Sequence, residues 1–317
     1  MDDNSTLTDS LDPSDPTFRI VAGSTTFVIS LYGLIVNAYV FKSFVSSSRF
    51  RSDFYIFCTS RTISNFMICM VFFIWSSPCT IIGFFYLPDN FNVIFGQMAG
   101  YCSYVSGLLV QGIISINRFC VSYWPMGGGR MREKYGLYLG LSSVWSIALT
   151  FTFSGFPVNC GYVYNIEQLS WMPEDDPCAQ SISAALLYAV FFITIVSNGL
   201  NCLTFGKLLY DTKRSSVSLS SKQSKTRQRK RIQMFAQSCT QDLLYVVDMT
   251  NGFYISQLNS DAWFLFMTTC VSWLTIHVID GTVMVVFNKD IHPRAKSKQS
   301  FIIVSTISVR GARSRPG

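Results

Sequence analysis

Apolar residues along the chain are grouped into seven long stretches separated by polar connections. A helix needs about 20 mainly apolar residues to cross the hydrocarbon core of a bilayer, and each stretch is long enough. The stretches are Ile20–Phe41, Phe54–Ser76, Asn92–Cys120, Tyr135–Pro157, Ser181–Leu208, Ile232–Ser256 and Ala262–Phe287. Small residues scattered through them allow membrane helices to approach closely. The pattern predicts an all-α membrane protein built as a bundle of seven transmembrane helices.

The connections between the stretches alternate in charge and predict the orientation of the bundle. The first 18 residues contain five Asp and no Lys or Arg, whereas the segment from Lys207 to Arg231, which joins the fifth and sixth stretches, carries nine basic residues against Asp211 alone. Lys and Arg beside membrane spans remain on the cytoplasmic side. We therefore expect an extracellular segment over 1–19, a membrane domain over 20–287 and a cytoplasmic tail over 288–317.

The composition supports a membrane environment and argues against several other classes of protein. Hydrophobic residues make up 49% of the chain and charged residues only 14%, well below the roughly 25% of average globular proteins. The net charge of +7 follows the cytoplasmic connections, so it indicates orientation and lipid contact, not nucleic-acid binding. The acidic leader does not look like a signal peptide. It contains the sequon Asn4-Ser5-Thr6, a predicted glycosylation site.

Catalytic and metal-binding constellations are not evident in the sequence. There are only two His residues, His277 in a stretch and His292 after the last one, so no His cluster exists. The run of three glycines at 127–129 lacks the Lys and the strand of a phosphate-binding loop. We expect no enzyme activity, no cofactor and no metal site.

Three cysteines are expected outside the membrane, where disulfides persist. Cys160 and Cys178 flank the long connection after the fourth stretch, and a bond between them would close a hairpin lid over the mouth of the bundle. Cys79, after Pro78, is a rival partner for either of them. Sequence alone leaves the choice open.

Polar motifs occur in the second, third, sixth and seventh stretches. Asn117-Arg118-Phe119 ends the third stretch, and Pro125 follows within two turns. The other motifs are Ser64-Asn65 with Trp75 and Pro78, Gln237-Ser238 with Gln241-Asp242, and His277 with Asp280-Gly281 and Phe287-Asn288. The Arg118 motif resembles the Asp/Glu-Arg-Tyr box of rhodopsin-like G protein-coupled receptors. The run Ile116–Cys120 is more similar still to nematode serpentine chemoreceptors of class x. The resemblance extends from about Val21 to His292.

The resemblance implies a role for Arg118 at the cytoplasmic surface. In such receptors the matching Arg contacts the G protein α subunit on activation, and here Lys230 and Arg231 would line the same cleft. Asn117 replaces the acidic neighbour and Phe119 replaces the Tyr, so an ionic lock within the motif is absent. The alternative is that Arg118 only marks the interface and reaches toward lipid phosphate.

Ionisable residues inside a membrane are costly and usually face the bundle interior. Helical rise places Arg61, Asp242 and Asp280 at similar depth, and opposite charges at one depth pair. Together with Asn65 they predict a polar cluster that rearranges on activation. Gly281 stands where rhodopsin-like receptors have Pro, and we expect it to supply comparable flexibility. The alternative is a static network that packs the helices.

A ligand cavity is expected nearer the extracellular side. Asp248 and His277 lie at a suitable depth, and Trp273 adds to an aromatic-rich composition of 15% Phe, Trp and Tyr. Aromatic residues also collect at membrane interfaces without any ligand.

The resemblance implies a plasma-membrane chemosensory receptor, with olfaction as its expected role and sensory cilia as its expected location. Its partners would be an extracellular small-molecule or peptide ligand, the lipid bilayer and a heterotrimeric G protein. A transporter or ligand-gated channel is the alternative, although no internal repeat is visible. A second alternative is an orphan receptor without coupling, because of the altered motifs at Asn117 and Asp280-Gly281.

Overall fold

The computed structural model describes residues 15–46, 53–123, 130–157, 159–215 and 222–288. For residues 53, 130–134, 212–215 and 222–231 it describes the backbone alone. Asn4 and the segment 289–317 lie outside these ranges.

Seven helical spans run through the described part of the chain. In order they are span 1, α1 (Pro16–Val45); span 2, α2 (Asp53–Val71) and α3 (Ser77–Ile82); span 3, α4 (Asn90–Gly96) and α5 (Tyr104–Tyr123); span 4, α6 (Arg130–Ser154); span 5, α7 (Pro177–Ser215); span 6, α8 (Lys222–Phe253); and span 7, α9 (Ala262–Phe266) and α10 (Ser272–Phe287). The mostly helical architecture confirms the predicted fold class.

Spans 2, 3 and 7 each join their two α-helices through a short π-helical segment. The segments are Phe72–Ser76, Gln97–Ser103 and Met267–Val271. π-Helical turns inside α-helices are rare and occur frequently at functional sites. Hydrophobic periodicity does not distinguish them from α-helix, so they could not be predicted from the sequence.

Span 2 extends past its predicted end and changes the position of Cys79. Pro78 lies where α3 continues the helix from the π-helical segment, and because it has no N–H, the Ile74 carbonyl one turn earlier accepts from the Tyr86 hydroxyl instead. The helix ends at Gly83 in the left-handed conformation (φ 79°). Cys79 is therefore a fully buried helical residue with a free thiol. The expectation that it lies in an external loop is wrong.

Span 3 is the central helix of the bundle. It packs against spans 2 and 5 and against span 4, while span 1 packs between spans 2 and 7 and span 6 contacts spans 5 and 7. Two-thirds (67%) of the most apolar part of span 3 is buried, compared with 11% for span 5. Span 5 instead exposes large apolar side chains such as Phe192 and Ile195, as expected of a surface in contact with lipid.

Span 6 differs from the other six in composition. By length and mean hydropathy the other six can cross a membrane, whereas span 6 is long enough but has a lower mean hydropathy. Its polar residues are buried inside the bundle: Gln237, Ser238, Gln241, Asp242 and Asp248. Polar groups turned toward neighbouring helices are compatible with a membrane span because protein partners replace water.

A small β-hairpin covers one end of the bundle and is the only sheet in the described residues. Strands β1 (Tyr162–Asn165) and β2 (Ser170–Pro173) pair antiparallel, with Tyr164 opposite Trp171. Cys160 and Cys178 form a disulfide that closes the segment containing both strands. The hairpin is an addition to the predicted all-α fold, and the end of the bundle that carries it is called the hairpin end below.

Candidate functional site

A cavity of about 340 Å³ lies at the hairpin end between spans 3, 5, 6 and 7. Its apolar wall includes Met172, Leu186, Leu187, Val190 and Met249. Its aromatic residues are Tyr101, Tyr104, Tyr162, Trp171, Phe253 and Trp273. Two of the three π-helical segments contribute lining residues, Gly100 and Tyr101 from span 3 and Thr269 and Cys270 from span 7. Size and lining are typical of a small-molecule site.

Five of these aromatic residues form one connected group: Tyr101, Tyr104, Tyr162, Trp171 and Trp273. The ring centroid of Trp273 lies 6.0 Å from Tyr104, 6.2 Å from Tyr162 and 6.4 Å from Trp171, all edge to face. Tyr162 and Trp171 stack on each other within the hairpin at 6.3 Å. Aromatic pairs in this range are mutually attractive. Trp273 was predicted to line the cavity and does so, whereas Tyr104, Tyr162 and Trp171 were not singled out from the sequence.

The hairpin is held tightly against span 3. Asn92 accepts a hydrogen bond from the backbone N–H of Tyr164 (3.0 Å) and donates one to its carbonyl (3.0 Å). A Cβ at Gly96 would lie 1.6 Å from the Tyr162 carbonyl oxygen, so only glycine permits this approach. Burial raises the pKa of the Tyr164 phenol, which stays neutral and shares a 2.6 Å hydrogen bond with Thr80.

Asp248 is the one charged residue in the cavity wall. Its carboxylate accepts hydrogen bonds from the hydroxyls of Tyr104 (3.3 Å) and Ser272 (3.5 Å). Both bonds are long, and no cation pairs with Asp248 in the part of the chain that the structure describes. The wall therefore carries a buried acid without a counter-charge.

His277 does not line the cavity, contrary to the sequence-based expectation. It is buried one layer deeper, with its ring centroid 6.1 Å from Tyr104 and 6.3 Å from Tyr245. Its Nδ1 lies 2.9 Å from Oδ1 of Asn65. His277 therefore connects the floor of the cavity to a polar network below.

Arg61 and Asp280 form a buried ion pair at the centre of that network. Nε of Arg61 donates to Oδ2 of Asp280 at 2.7 Å, and Asn65 donates to the same oxygen. The two charged side chains are 1% and 3% exposed. The Arg61 guanidinium also lies over the ring of Tyr245, 5.3 Å from its centroid. Arg61, Asn65 and Asp280 are thus brought together as the sequence predicts.

Asp242 joins the network indirectly. Gln111 accepts a hydrogen bond from Arg61 and donates one to Asp242 at 2.6 Å. Asp242 also accepts from Asn201 and, at 3.3 Å, from Ser197, both on span 5. Gln111 was not among the residues predicted from the sequence, although it is an isolated amide in the apolar centre of span 3, two turns before Arg118.

Gly281 has a packing role that differs from the predicted one. The helix α10 continues through it without a break, so it supplies no hinge in this structure. A Cβ at Gly281 would lie 2.7 Å from Oδ1 of Asn37, which in turn donates to the backbone carbonyls of Gly33 and His277. The absence of a side chain lets spans 1 and 7 come together beside Asp280.

Arg118 lies near the end of the bundle opposite the hairpin. Its guanidinium carbon is 5.2 Å from the centroid of Phe54, and its two terminal nitrogens are buried without a hydrogen bond to any described residue. The ring of Phe119 packs against that of Tyr123 at a tilt, with centroids 4.6 Å apart. Asn117 precedes Arg118 on the same partly exposed turn. The side chains of Lys230 and Arg231 are not among those described.

Spans 6 and 7 are tied together at this same end. Asn288 donates to Oε1 of Gln237 at 3.1 Å and to its own helix at the Met284 carbonyl at 2.8 Å. Gln233, one turn earlier on span 6, donates to the Phe287 carbonyl. These contacts hold the two spans in the observed arrangement.

One group with the spacing of metal ligands occurs among the described residues. It consists of Cys160, Asp176 and Cys178. The two sulfurs are joined in the disulfide, so they are not available as thiolate ligands. The group is part of the hairpin's covalent closure.

Comparison with known proteins identifies the family. The family model described as serpentine type seven-transmembrane G protein-coupled chemoreceptor Srx matches residues 27–288. The chain therefore belongs to the Srx family of serpentine chemoreceptors, a family of receptors and not of enzymes. Serpentine receptor class X 45 of Caenorhabditis elegans is 24% identical over 323 residues, covering 92% of this chain and 86% of the relative.

Solved structures support the same fold. Squid rhodopsin superimposes with a TM-score of 0.65 over 96% of this chain and 93% of its own, at 11% identity. At that identity the likeness concerns the fold alone. It confirms the multi-pass, rhodopsin-like arrangement of the seven spans.

Proposed function

We propose that this chain is a plasma-membrane chemosensory receptor that binds an extracellular small molecule and activates a heterotrimeric G protein. The hairpin end faces outward and residues 1–19 are extracellular. Residues 20–287 form the receptor domain, and 288–317 form the cytoplasmic tail. A chemosensory role fits sensory cilia as the location. The observation that carries the proposal is a chain of contacts that begins at the cavity and continues toward Arg118.

Ligand binding is assigned to the cavity because of its shape and position. The hairpin covers it from one side, and four helices surround it. A volume of about 340 Å³ fits a small molecule better than a peptide.

Transmission is assigned to the polar network beneath the cavity. Tyr104 contacts both the cavity and the ring of His277, and His277 contacts Asn65, which binds Asp280. A ligand shifts a conformational equilibrium only if it binds one state better than another. Movement of Tyr104 or Trp273 changes the packing of His277, and with it the hydrogen bonds around the Arg61–Asp280 pair.

G protein contact is assigned to the end that carries Arg118. Its terminal nitrogens are buried and lack partners among the described residues, so outward movement of span 6 would release a cation able to bind a carbonyl or carboxylate. That movement must break the hydrogen bond between Gln237 and Asn288. Lys230 and Arg231 lie on span 6 and would face the same cleft.

The test is expression of the full chain in cells that carry a sensor of G protein dissociation, with a screen of small volatile and water-soluble compounds. A compound that activates the native chain should fail with Arg118→Met at equal surface expression. Binding of that compound to the purified variant should persist. If the Arg118→Met variant keeps both signalling and binding, the assignment of Arg118 is contradicted.

Orientation and alternative functions are decided in the same cells. An N-terminal epitope should be accessible without permeabilisation, and Asn4→Gln should remove a glycosidase-sensitive mass shift. A ligand-evoked current or substrate uptake without any G protein would instead indicate the channel or transporter. Binding without any output in all G protein backgrounds would indicate the uncoupled receptor.

A further inference from the structure

The geometry points to a small organic cation, a protonated amine or quaternary ammonium, as the class of ligand that the cavity takes. This inference rests on the proposed function, because it assigns chemistry to the same ligand site. Its basis is the combination of one carboxylate that has no cationic partner among the described residues with several aromatic rings lining the same cavity.

Asp248 is placed as a counter-ion for such a ligand. It lies on span 6 and is 9% exposed, and its two hydroxyl partners are 3.3 and 3.5 Å away. Burial of a carboxylate is unfavourable unless it is paired, and neutral hydroxyls at these distances compensate only partly. A cation entering the cavity supplies the missing charge.

The aromatic rings favour the same ligand class. Cations bind over the faces of Trp and Tyr, and rings arranged around a cavity are the usual way to recognise quaternary ammonium groups. Tyr104 places its hydroxyl on Asp248 and its ring beside Trp273, so the carboxylate and the aromatic group adjoin directly. Tyr162 and Trp171 extend the aromatic wall into the hairpin.

An anionic ligand fits this cavity poorly. None of the lining residues is Lys, Arg or His. His277 is a layer deeper and already bonded to Asn65. Arg61 lies beyond it and is paired with Asp280. A carboxylate or phosphate in the cavity would face Asp248 with no compensating charge.

The charge at the hairpin end also favours cations. At the hairpin end, Arg19 is the single basic residue among those described, and it donates to the Gly83 carbonyl. The acidic residues at this end are Asp15, Asp89, Glu167, Glu174, Asp175, Asp176 and Asp261. Surfaces of one sign raise the local concentration and association rate of oppositely charged ligands.

The experiment compares cations with neutral molecules of the same shape on the purified full-length receptor. The probe pairs are choline with 3,3-dimethylbutan-1-ol, and (3-hydroxyphenyl)trimethylammonium with 3-tert-butylphenol. In each pair a carbon replaces the charged nitrogen. Binding is measured from the dose-dependent rise in melting temperature, since a ligand that binds only the folded state stabilises it.

The expected result is that at least one cation binds at least about tenfold more tightly than its carbon isostere, because a buried charge pair is lost with the nitrogen. Asp248→Asn should remove that preference. The matched control is Glu167→Gln, which removes one acidic charge from the exposed hairpin turn without touching the cavity. It should change cation affinity by no more than about twofold, as an exposed charge is screened by salt.

Three outcomes would overturn the inference. Equal binding of cation and isostere to the native receptor would leave a ligand cavity without cation preference. Equal cation binding to Asp248→Asn and native receptor would place the cation elsewhere. No binding by either cation would contradict the ligand class, while the G protein assay tests the proposed function independently. If Asp248→Asn does not fold, the comparison of isosteres on the native receptor still decides.

Discussion

Two buried carboxylates in this bundle have opposite environments. Asp280 is bound by Arg61 at 2.7 Å and by Asn65, deep beneath the cavity. Asp248 lies in the cavity wall and accepts two long hydrogen bonds from neutral hydroxyls. The deeper acid has a counter-charge from the protein itself, whereas the other has none among the described residues.

This difference in environment indicates separate roles for the two acids, Asp280 in the polar network and Asp248 in the cavity wall. A buried ion pair is strongly destabilising when one partner is removed, because a buried charge then remains uncompensated. The Arg61–Asp280 pair therefore holds spans 2 and 7 in a defined arrangement. An acid without a protein counter-charge contributes little to that arrangement, and its position in a cavity suits it to a ligand.

The largest expected effect comes from breaking the deep pair. Arg61→Met should lower the free energy of unfolding by about 3–5 kcal/mol, because Asp280 is left buried without its cation. The melting temperature of the purified receptor and its surface expression should both fall. The double variant Arg61→Met/Asp280→Asn should recover much of the loss.

The matched control for that prediction is Lys207→Met. Lys207 forms an ion pair with Asp211 at 3.1 Å, but both side chains are partly exposed on span 5. Exposed pairs of this kind contribute about 0.5 kcal/mol or less. Normal signalling and surface expression of Arg61→Met would show that the deep pair is not part of a switch.

The second effect concerns the cover of the cavity. Cys160→Ser opens a loop closed over a sequence separation of 18 residues, which should cost about 3 kcal/mol in the loop-entropy account. The lower melting temperature should be accompanied by weaker ligand binding, since Trp171 and Tyr162 line the cavity from the hairpin. Cys202→Ser, at an exposed free cysteine, should change neither.

The third effect tests the close approach of spans 1 and 7 beside Asp280. Gly281→Ala places a methyl group 2.7 Å from Oδ1 of Asn37 and should destabilise by about 1–3 kcal/mol. At Gly206, on span 5, an added Cβ meets nothing within 4 Å. Gly206→Ala should therefore be neutral or stabilising, by about 0.5–1 kcal/mol. Equal melting temperatures for the two variants would contradict the packing role of Gly281.

The smallest effect concerns the tie between spans 6 and 7. Asn288→Ala removes a 3.1 Å hydrogen bond to Gln237 and should cost about 0.5–1.5 kcal/mol. Because that bond opposes movement of span 6, ligand-independent G protein activity should rise. Asn198→Ala is the control, since among the described residues the Asn198 side chain bonds the carbonyl of Thr194 on its own helix and no neighbouring span. An equal rise in ligand-independent activity in the control would contradict the role of the Gln237–Asn288 hydrogen bond.

The sequence predicted the features that follow from periodicity and charge. Seven spans and the depth at which Arg61, Asn65 and Asp280 meet follow from helical rise, which is fixed by backbone geometry. The pairing of Cys160 with Cys178 was one of the alternatives that the sequence left open.

Other features depend on side-chain packing that no local pattern encodes. The π-helical segments shift the facing of residues in spans 3 and 7, which places Tyr101 and Cys270 in the cavity wall. His277 was assigned to the cavity by depth alone, but its hydrogen bond to Asn65 places it in the network below. Gln111 bridges Arg61 and Asp242 because its helix is central, a fact visible only once the bundle is assembled.

The central claim is that the deep acid stabilises the bundle and the cavity acid serves a ligand. It is tested most directly by the melting temperatures of Asp280→Asn and Asp248→Asn in the purified receptor without ligand. Asp280→Asn should melt well below the native chain, because Arg61 loses its counter-ion, while Asp248→Asn should melt at the native temperature or above it. Equal losses in the two variants, or a greater loss for Asp248→Asn, would contradict the account.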